Sequence, residues 1–298
     1  MVIKDLSHSS DIKKTMEDFS SVGFQATQVA RAIELIRNMK KERTTIFLSF
    51  TSNMVASGLR GCIAELCKNK FIDLIITAGG SLDHDLIRCY KNYEIGDFFM
   101  DDIKLHKKGI NRLGNILVSN ECYVELEKRM KPIFEKLYSK NKTISPSELA
   151  REIGNSVNDK NSFSYWCSKN GIPVFCPGIT DSAIGLQTYF FKQQHKDFAI
   201  DVTKDMQQLA SIVLSANKTG GIILGGGISK HHTIGVNILR GGLDSAVYIT
   251  TASPWDGSLS GARTQEAISW GKLKEKSRYV TVDCDATIAF PLIVSTLL

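Results

Sequence analysis

Short, uninterrupted apolar runs alternate along this chain with segments in which apolar residues recur every three to four positions. An apolar run predicts a strand that is buried on both faces, and the longer spacing predicts an amphipathic helix. The predicted strands are 44–51, 71–78, 173–176, 198–202, 220–224, 246–251 and 279–284. The predicted helices include 54–68, one that begins at about 83, 121–139, one that ends at about 153, and 286–296. This order favours an α/β fold, with a parallel sheet that carries helices on both faces.

Local signals fix some boundaries of these elements. Ser145 is followed by Pro146 and then by Glu148, which predicts a capping box with proline at the first helical position. Turn-forming residues are concentrated in 154–161, and we expect an exposed loop there. The sequence contains no internal repeat and no low-complexity tract. We therefore expect one domain over 23–298, preceded by a loosely held N-terminal arm over 1–22.

Composition narrows the class of protein. The 298 residues are 43% hydrophobic, which is enough for a large core. The apolar runs are shorter than the ~20 residues of a membrane span, and the N-terminus lacks an apolar signal core, so we expect a cytoplasmic protein without membrane contact. The seven cysteines show no paired CxxC spacing, which predicts reduced thiols and no metal site. The net charge of +6 is spread along the chain and gives no support for nucleic-acid binding.

Small and polar residues follow several predicted strands, at 51–53, 77–80, 225–227, 251–252 and 285–286. Ligands of parallel sheets bind beyond the carboxyl ends of the strands, often at a helix N-terminus. Glycine lets the backbone approach a phosphate, and an acid such as Asp181 or Asp285 can bind ribose hydroxyls. Each loop alone is better explained as an ordinary turn. The five loops taken together support a dinucleotide site and a set of ordinary turns equally well. The absence of GxGxxG after the first strand disfavours an ordinary dehydrogenase.

The segment 266–272 offers the clearest candidate chemistry, because it places the amine of Lys272 close to Glu266 and Trp270 in sequence. A neutral lysine amine can attack a carbonyl or imine carbon and form a Schiff base. Considered without the rest of the chain, most Trp-Gly-Lys segments are surface turns. His231 follows the glycine-rich loop at a predicted helix start, and its imidazole is a candidate general base.

Many motifs occur here in a fixed order: 23–27, 51–53, 77–80, 109–115, 173–177, 180–181, 225–227, 230–232, 256–258, 260–263 and 266–272. With these motifs, the chain from about Gly23 to its C-terminus resembles the deoxyhypusine synthases. The resemblance implies a Rossmann-like parallel sheet, NAD as the bound cofactor, and a homotetramer with active sites at dimer interfaces.

The resemblance also implies the reaction, an NAD-dependent aminobutyl transfer. Hydride leaves the carbon beside the secondary amine of spermidine for NAD, and the resulting imine is cleaved with release of 1,3-diaminopropane. The aminobutyl group rests as an imine on Lys272 before it passes to one lysine of the precursor of translation initiation factor 5A. NADH then reduces the new imine, giving deoxyhypusine.

Residue roles follow from the resemblance position by position. Lys272 matches the imine-forming nucleophile, and His231 matches the active-site histidine. The cofactor positions are Ser52, Asn53, Thr77, Ala78, Gly79, Asp181, Gly226, Thr251, Ala252, Asp285 and Ala286. The polyamine positions are Gly257, Ser258 and 266–270. A polycation needs acids and an aromatic wall, which Asp256, Glu266 and Trp270 can supply.

The chain departs from the eukaryotic members at two positions. Leu186 and Leu259 stand where the eukaryotic members carry aspartates that contact the amines of spermidine. Archaeal-type members carry leucine at the same two positions. We therefore expect Asp83, Asp85 or Glu266 to anchor the amines instead. Two alternatives stay open: a related aminobutyltransferase with a small diamine as acceptor, like the homospermidine synthases, and a non-catalytic NAD-binding paralogue.

Overall fold

The computed structural model describes residues 2–6 and 9–298. Its strands are β1 Thr45–Phe50, β2 Leu74–Thr77, β3 Glu94–Ile95, β4 Ile110–Leu113, β5 Ile116–Ser119, β6 Thr143–Ile144, β7 Val174–Phe175, β8 Ala199–Ile200, β9 Thr219–Leu224, β10 Leu243–Thr250 and β11 Leu273–Asp283. Its helices are α1 Ile12–Asp18, α2 Phe24–Lys41, α3 Ser52–Met54, α4 Arg60–Lys68, α5 Gly79–Arg88, α6 Asp102–Lys107, α7 Asn120–Lys140, α8 Pro146–Ser156, α9 Phe163–Asn170, α10 Ala183–Gln194, α11 Lys204–Ser215, α12 Gly227–Val236, α13 Glu266–Ser269 and α14 Ala286–Leu297.

Contacts group the chain into two compact units. The first unit comprises Met1–Thr51, Asn69–Ile76 and Met206–Leu298, and the second comprises Ser52–Lys68 and Thr77–Asp205. The single domain over 23–298 stays a prediction. In the part of the chain that the structure describes, no helix is long and apolar enough to span a membrane.

A parallel sheet forms the core of the first unit, where five strands lie in the order β11-β10-β9-β1-β2. The pairings β1–β9, β9–β10 and β10–β11 are all parallel. β9 is buried at all six residues, which explains its continuous apolar run. Helices α2 and α14 contact β10, and α12 contacts β1 and β9. The predicted α/β fold, a parallel sheet flanked by helices, is confirmed.

The N-terminal segment differs from the expected loose arm. Ile12–Asp18 forms α1, and Asp11 caps it by accepting a hydrogen bond from the Lys13 backbone. Met16 is buried, and α1 contacts both α2 and α14. Apolar contact therefore holds this stretch to the first unit, while residues 1, 7 and 8 of the predicted arm lie outside the described residues.

The second unit is mainly helical and contains an antiparallel sheet in the order β3-β5-β4. This sheet was not predicted from the sequence. β4 and β5 form a hairpin whose turn contains Gly114 at φ +61°, a conformation that glycine adopts without a steric penalty. Two polar residues interrupt β4, and the apolar run of β5 is only three residues long, so neither strand resembles the longer apolar runs of the buried strands.

The capping box of the second unit is confirmed. Ser145 Oγ accepts from the Glu148 backbone at 3.2 Å, and the Glu148 carboxylate accepts from the Ser145 backbone at 2.8 Å. The helix it opens, α8, continues to Ser156, so the loop expected over 154–161 begins later. Gly154 is buried, and it lies so close to the backbone of Ser164 that a side chain there would overlap it.

Two other helices begin earlier than predicted. The helix expected from about 83 begins at Gly79, which turns the side chains of Asp83 and Asp85 inward. The helix expected over 54–68 begins at Ser52 and contains a π-helical turn over Val55–Leu59. Gly58 in that turn has φ +109°, so the regular helical hydrogen bonds are interrupted there.

Candidate functional site

Lys272 and His231 meet in the first unit. Lys272 directly precedes β11, His231 lies on α12, and Lys272 Nζ is 3.3 Å from His231 Nε2. Gly271 at φ +66° lets the chain turn between α13 and Lys272, and the Lys272 backbone donates to Ala267 O at 2.9 Å. Lys272 Nζ also lies 5.2 Å from the centroid of the Trp270 ring. The turn therefore holds the amine between an imidazole and an indole.

His231 is in the charge state that a proton acceptor requires. Partial burial, and then the positive charge of Lys272, lower the pKa of His231. Its imidazole is consequently neutral at neutral pH. In the tautomer that carries its proton on Nδ1, Nε2 can accept a proton from the Lys272 amine.

A cavity of about 240 Å³ opens at this pair. Its lining residues are Lys230, His231, Ile234, Tyr248, Leu259, Ala262, Arg263, Glu266, Ala267, Trp270 and Lys272. Methylene groups of a ligand can pack against the aliphatic side chains, and an ammonium can pair with Glu266 and the face of Trp270. The cavity is thus suited to an alkyl amine.

Lys230 is a site residue whose role the pattern analysis missed. It is 1% exposed, and its Nζ donates to Leu259 O and Ala262 O, each at 2.7 Å. Burial lowers the pKa of Lys230 to about 8, while the charge of Glu266 opposes this change. Lys230 therefore ties α12 to the 259–262 turn. In the sequence, nothing but its position beside His231 distinguishes this lysine from a surface lysine.

Two of the three expected amine anchors are occupied by other contacts. Within the second unit, the Asp83 carboxylate accepts from the backbones of Ala183 and Ile184 at 2.7 and 2.9 Å. Asp85 is 3.1 Å from Arg60 Nε and also accepts from Ser162 Oγ. Both carboxylates are buried and serve the packing of their own unit. These contacts argue against Asp83 or Asp85 as the anchor, and Glu266 alone of the three lines the cavity.

Asp256, Gly257 and Ser258 occupy an exposed turn next to the 259–262 segment. Asp256 Oδ1 accepts from the Ser258 backbone at 2.7 Å, and Gly257 takes φ +72°. The three residues are not among those that line the cavity. Their place in a polyamine channel stays a prediction.

Five predicted cofactor residues follow the ends of neighbouring parallel strands in the first unit: Gly226 after β9, Thr251 and Ala252 after β10, and Asp285 and Ala286 after β11. Gly226 precedes α12, whose N-terminus has no side-chain cap, and a side chain at Gly226 would overlap Ser260. Asp285 is exposed at the start of α14. A glycine loop before a helix suits a phosphate, and an acid after a nearby strand suits a ribose hydroxyl, so these residues fit a dinucleotide.

The other predicted cofactor residues lie in the second unit. Ser52 and Asn53 belong to α3, Thr77, Ala78 and Gly79 join β2 to α5, and Asp181 precedes α10. A side-chain carbon on Gly79 would meet Ser182 Cβ at 2.6 Å, and one on Gly80 would meet Ser52 Cβ at 2.9 Å. The three segments therefore lie against one another, with glycine where they come closest.

Across 2–6 and 9–298, no group of three or more His, Cys, Asp or Glu side chains is placed to hold a metal ion.

The known proteins that this chain matches in sequence and in structure include several deoxyhypusine synthases. A family model described as deoxyhypusine synthase matches residues 14–297. A probable deoxyhypusine synthase of Thermoplasma acidophilum is 47% identical, over 99% of this chain and 97% of the relative. One of Pyrococcus furiosus is 42% identical, over 97% and 91%. A crystal structure from Entamoeba histolytica that is named for a deoxyhypusine synthase has a TM-score of 0.71 and 26% identity, over 99% of this chain and 96% of the other.

Proposed function

Because the chain belongs to the deoxyhypusine synthase family, we propose that it transfers the aminobutyl group of spermidine to a lysine of the precursor of translation initiation factor 5A. The observation that carries this proposal is the contact of Lys272 Nζ with His231 Nε2 in a cavity suited to an alkyl amine. We further propose NAD dependence and assembly as a homotetramer, which the family resemblance implies, and a cytoplasmic location, which the sequence composition favours.

The first step is binding of the donor. Glu266 would pair with a donor ammonium, Trp270 would cover it with its ring, and Leu259 would contact the methylene chain. Gly226 and Asp285 would hold the phosphates and a ribose of NAD, which when bound supplies a reversible hydride acceptor for the carbon beside the secondary amine. Loss of that hydride leaves the carbon as an imine carbon.

Lys272 then acts as the nucleophile. Its neutral amine attacks the imine carbon, and His231 accepts the proton that the amine releases. The bond to the departing nitrogen breaks, 1,3-diaminopropane leaves with the transferred protons, and the four-carbon group remains as an imine on Lys272. A lysine of the acceptor protein attacks the same carbon in turn and restores the free Lys272 amine. The product of this exchange is an imine on the acceptor lysine, and return of the hydride to its carbon would give the aminobutyl amine.

The experiment that tests the proposal is intact mass spectrometry after incubation with NAD and spermidine and trapping with borohydride. We expect an aminobutyl adduct that maps to Lys272 and that moves to the factor 5A precursor when the precursor is added before trapping. Lys272→Arg should give no adduct and still bind NAD, since a guanidinium stays charged and is no nucleophile. Lys276→Arg, on the exposed part of β11, is the matched control and should react like the wild type.

The other results distinguish the alternatives. An adduct that passes only to free diamines would identify a small-molecule aminobutyltransferase. A protein that binds NAD and forms no adduct with any donor amine would be a non-catalytic paralogue. Turnover by Lys272→Arg would refute the role of Lys272 as the nucleophile.

A further inference from the structure

Two of the seven cysteines touch each other inside the second unit. Cys67 lies in the last turn of α4 and Cys167 in the last turn of α9, and the two residues are 0% and 2% exposed. The Cys167 thiol donates to Cys67 Sγ across 3.5 Å. A free cysteine in a protein core usually acts as a small apolar residue, but two thiols in direct contact can also be joined by oxidation.

Hydrogen bonds hold the backbone around this pair. The Asn170 side-chain amide, at the end of α9, donates to Cys67 O at 2.8 Å and to Lys68 O at 3.1 Å. The Ile172 backbone donates to Cys167 O at 2.9 Å. These bonds keep the two helix ends together. A disulfide requires its sulfurs at about 2 Å, so rotation of the two side chains and small shifts of the helix ends have to close a further ~1.5 Å.

Burial decides which oxidised form of the cysteines this part of the core accepts. Burial first, and the contact with Cys67 second, raise the pKa of the Cys167 thiol, because a thiolate there would lose its hydration. Sulfinic and sulfonic acids carry a negative charge at neutral pH and are disfavoured for the same reason. A disulfide is neutral and apolar, so it is the oxidised form that suits the site. The oxidant itself has to be small enough to enter a packed core.

We propose that Cys67 and Cys167 form a reversible disulfide when hydrogen peroxide, an oxidant close to water in size, reaches them. One sulfur attacks a peroxide oxygen, the O–O bond breaks, and the displaced hydroxide leaves as water with the proton of that thiol. The second sulfur attacks the resulting sulfenic acid, whose hydroxyl leaves as water with the other thiol proton. Two thiols lose two electrons, and one peroxide is reduced to two waters. Without oxidant the pair stays open, in keeping with the predicted reduced thiols, and the site is independent of the proposed function.

The test is treatment of the folded, full-length protein with hydrogen peroxide, then alkylation of the remaining thiols in denaturant and tryptic peptide mapping. We expect peptide 61–68 to be linked to peptide 161–169, and dithiothreitol to separate them. Cys62→Ala is the matched control, because Cys62 lies on the first peptide and is only half-buried. This variant should keep the link, whereas Cys67→Ala and Cys167→Ala should each lose it. Since the link closes a loop of 100 positions, peroxide should raise the thermal midpoint of the wild type by about 5 °C relative to Cys67→Ala treated in the same way.

Each other result overturns the inference. A link that forms only after the protein is unfolded in urea, or no link at all, would show that the fold does not bring the two sulfurs within reach. Sulfinic or sulfonic acid at either cysteine, in place of the link, would show that the core accepts a charged product. A link that is lost in Cys62→Ala would assign the reaction to the other thiol of the same peptide. A thermal midpoint that falls on oxidation would show that the helix ends cannot accommodate the disulfide.

Discussion

The buried ammonium of Lys230 should make part of the stability of the first unit depend on pH. Its folded-state pKa of about 8 lies below the ordinary value of 10.5. Up to pH 8 both folded and unfolded chains carry the proton, and the folded state bears the full penalty of the buried charge. Between pH 8 and 10.5 the folded state has lost the proton while the unfolded state keeps it, so the free energy of unfolding rises with pH.

The magnitude follows from the two pKa values. The complete penalty is about 3 kcal/mol, at 1.36 kcal/mol for each unit of pKa. From pH 7 to pH 9, linkage with these values predicts that the wild type gains about 1.4 kcal/mol relative to a variant without this amine. Lys230→Met is that variant, because methionine keeps an unbranched apolar stem and carries no titrating group.

The assay is urea denaturation of both proteins at pH 7, 8 and 9, followed by indole fluorescence. Trp255 and Trp270 lie in the first unit and Trp166 lies in the second, so the titrations are made in a Trp166→Phe background, in which the signal reports the unit that contains Lys230. Lys276→Met removes an exposed amine from β11 and serves as the control. A difference between wild type and Lys230→Met that stays constant from pH 7 to 9 would refute the reasoning.

Three further predictions concern other parts of the chain. Arg60→Met leaves the buried Asp85 carboxylate without its cation and should lower the free energy of unfolding by about 3–5 kcal/mol in urea titrations; a loss below 1 kcal/mol would contradict this. Gly226→Ala should weaken NAD binding at least tenfold by calorimetry, since the added carbon overlaps a neighbouring segment, whereas Gly235→Ala, with open space around it, should not. Ser145→Ala should cost about 1 kcal/mol of unfolding free energy, and an unchanged urea midpoint would show that the capping box adds nothing.

The strands that the sequence predicted well are those of the parallel sheet. β1 and β9 are buried along nearly their whole length, and their apolar runs follow directly from that position. β11 begins at Leu273, six residues before its predicted start. The prediction missed these residues because 274–278 are polar and at least partly exposed. Apolar content therefore identifies the centre of the sheet and not the ends of its strands.

The candidate site was predictable only in part, for a related reason. Lys272 and His231 lie in sequence motifs from which their chemical roles were predicted. Asp83, Asp85 and Glu266 were equal candidates for the amine anchor, because a carboxylate in sequence gives no sign of its partners. The structure shows such partners for Asp83 and Asp85. Those partners lie 25 to 101 positions away along the chain, and only the fold brings them together. Tyr248 was missed for the opposite reason, since it reads as one more apolar residue of a buried strand.

Leu259 contributes to the cavity through two parts that are independent of each other. Its carbonyl accepts from Lys230 and thereby anchors the turn, and the residue also lines the cavity. Any residue other than proline could supply that carbonyl with little change in backbone geometry. A substitution can therefore change the cavity lining at this position without rebuilding the turn. A change in a single codon is in this way a route by which members of the family can differ in this cavity while sharing one scaffold.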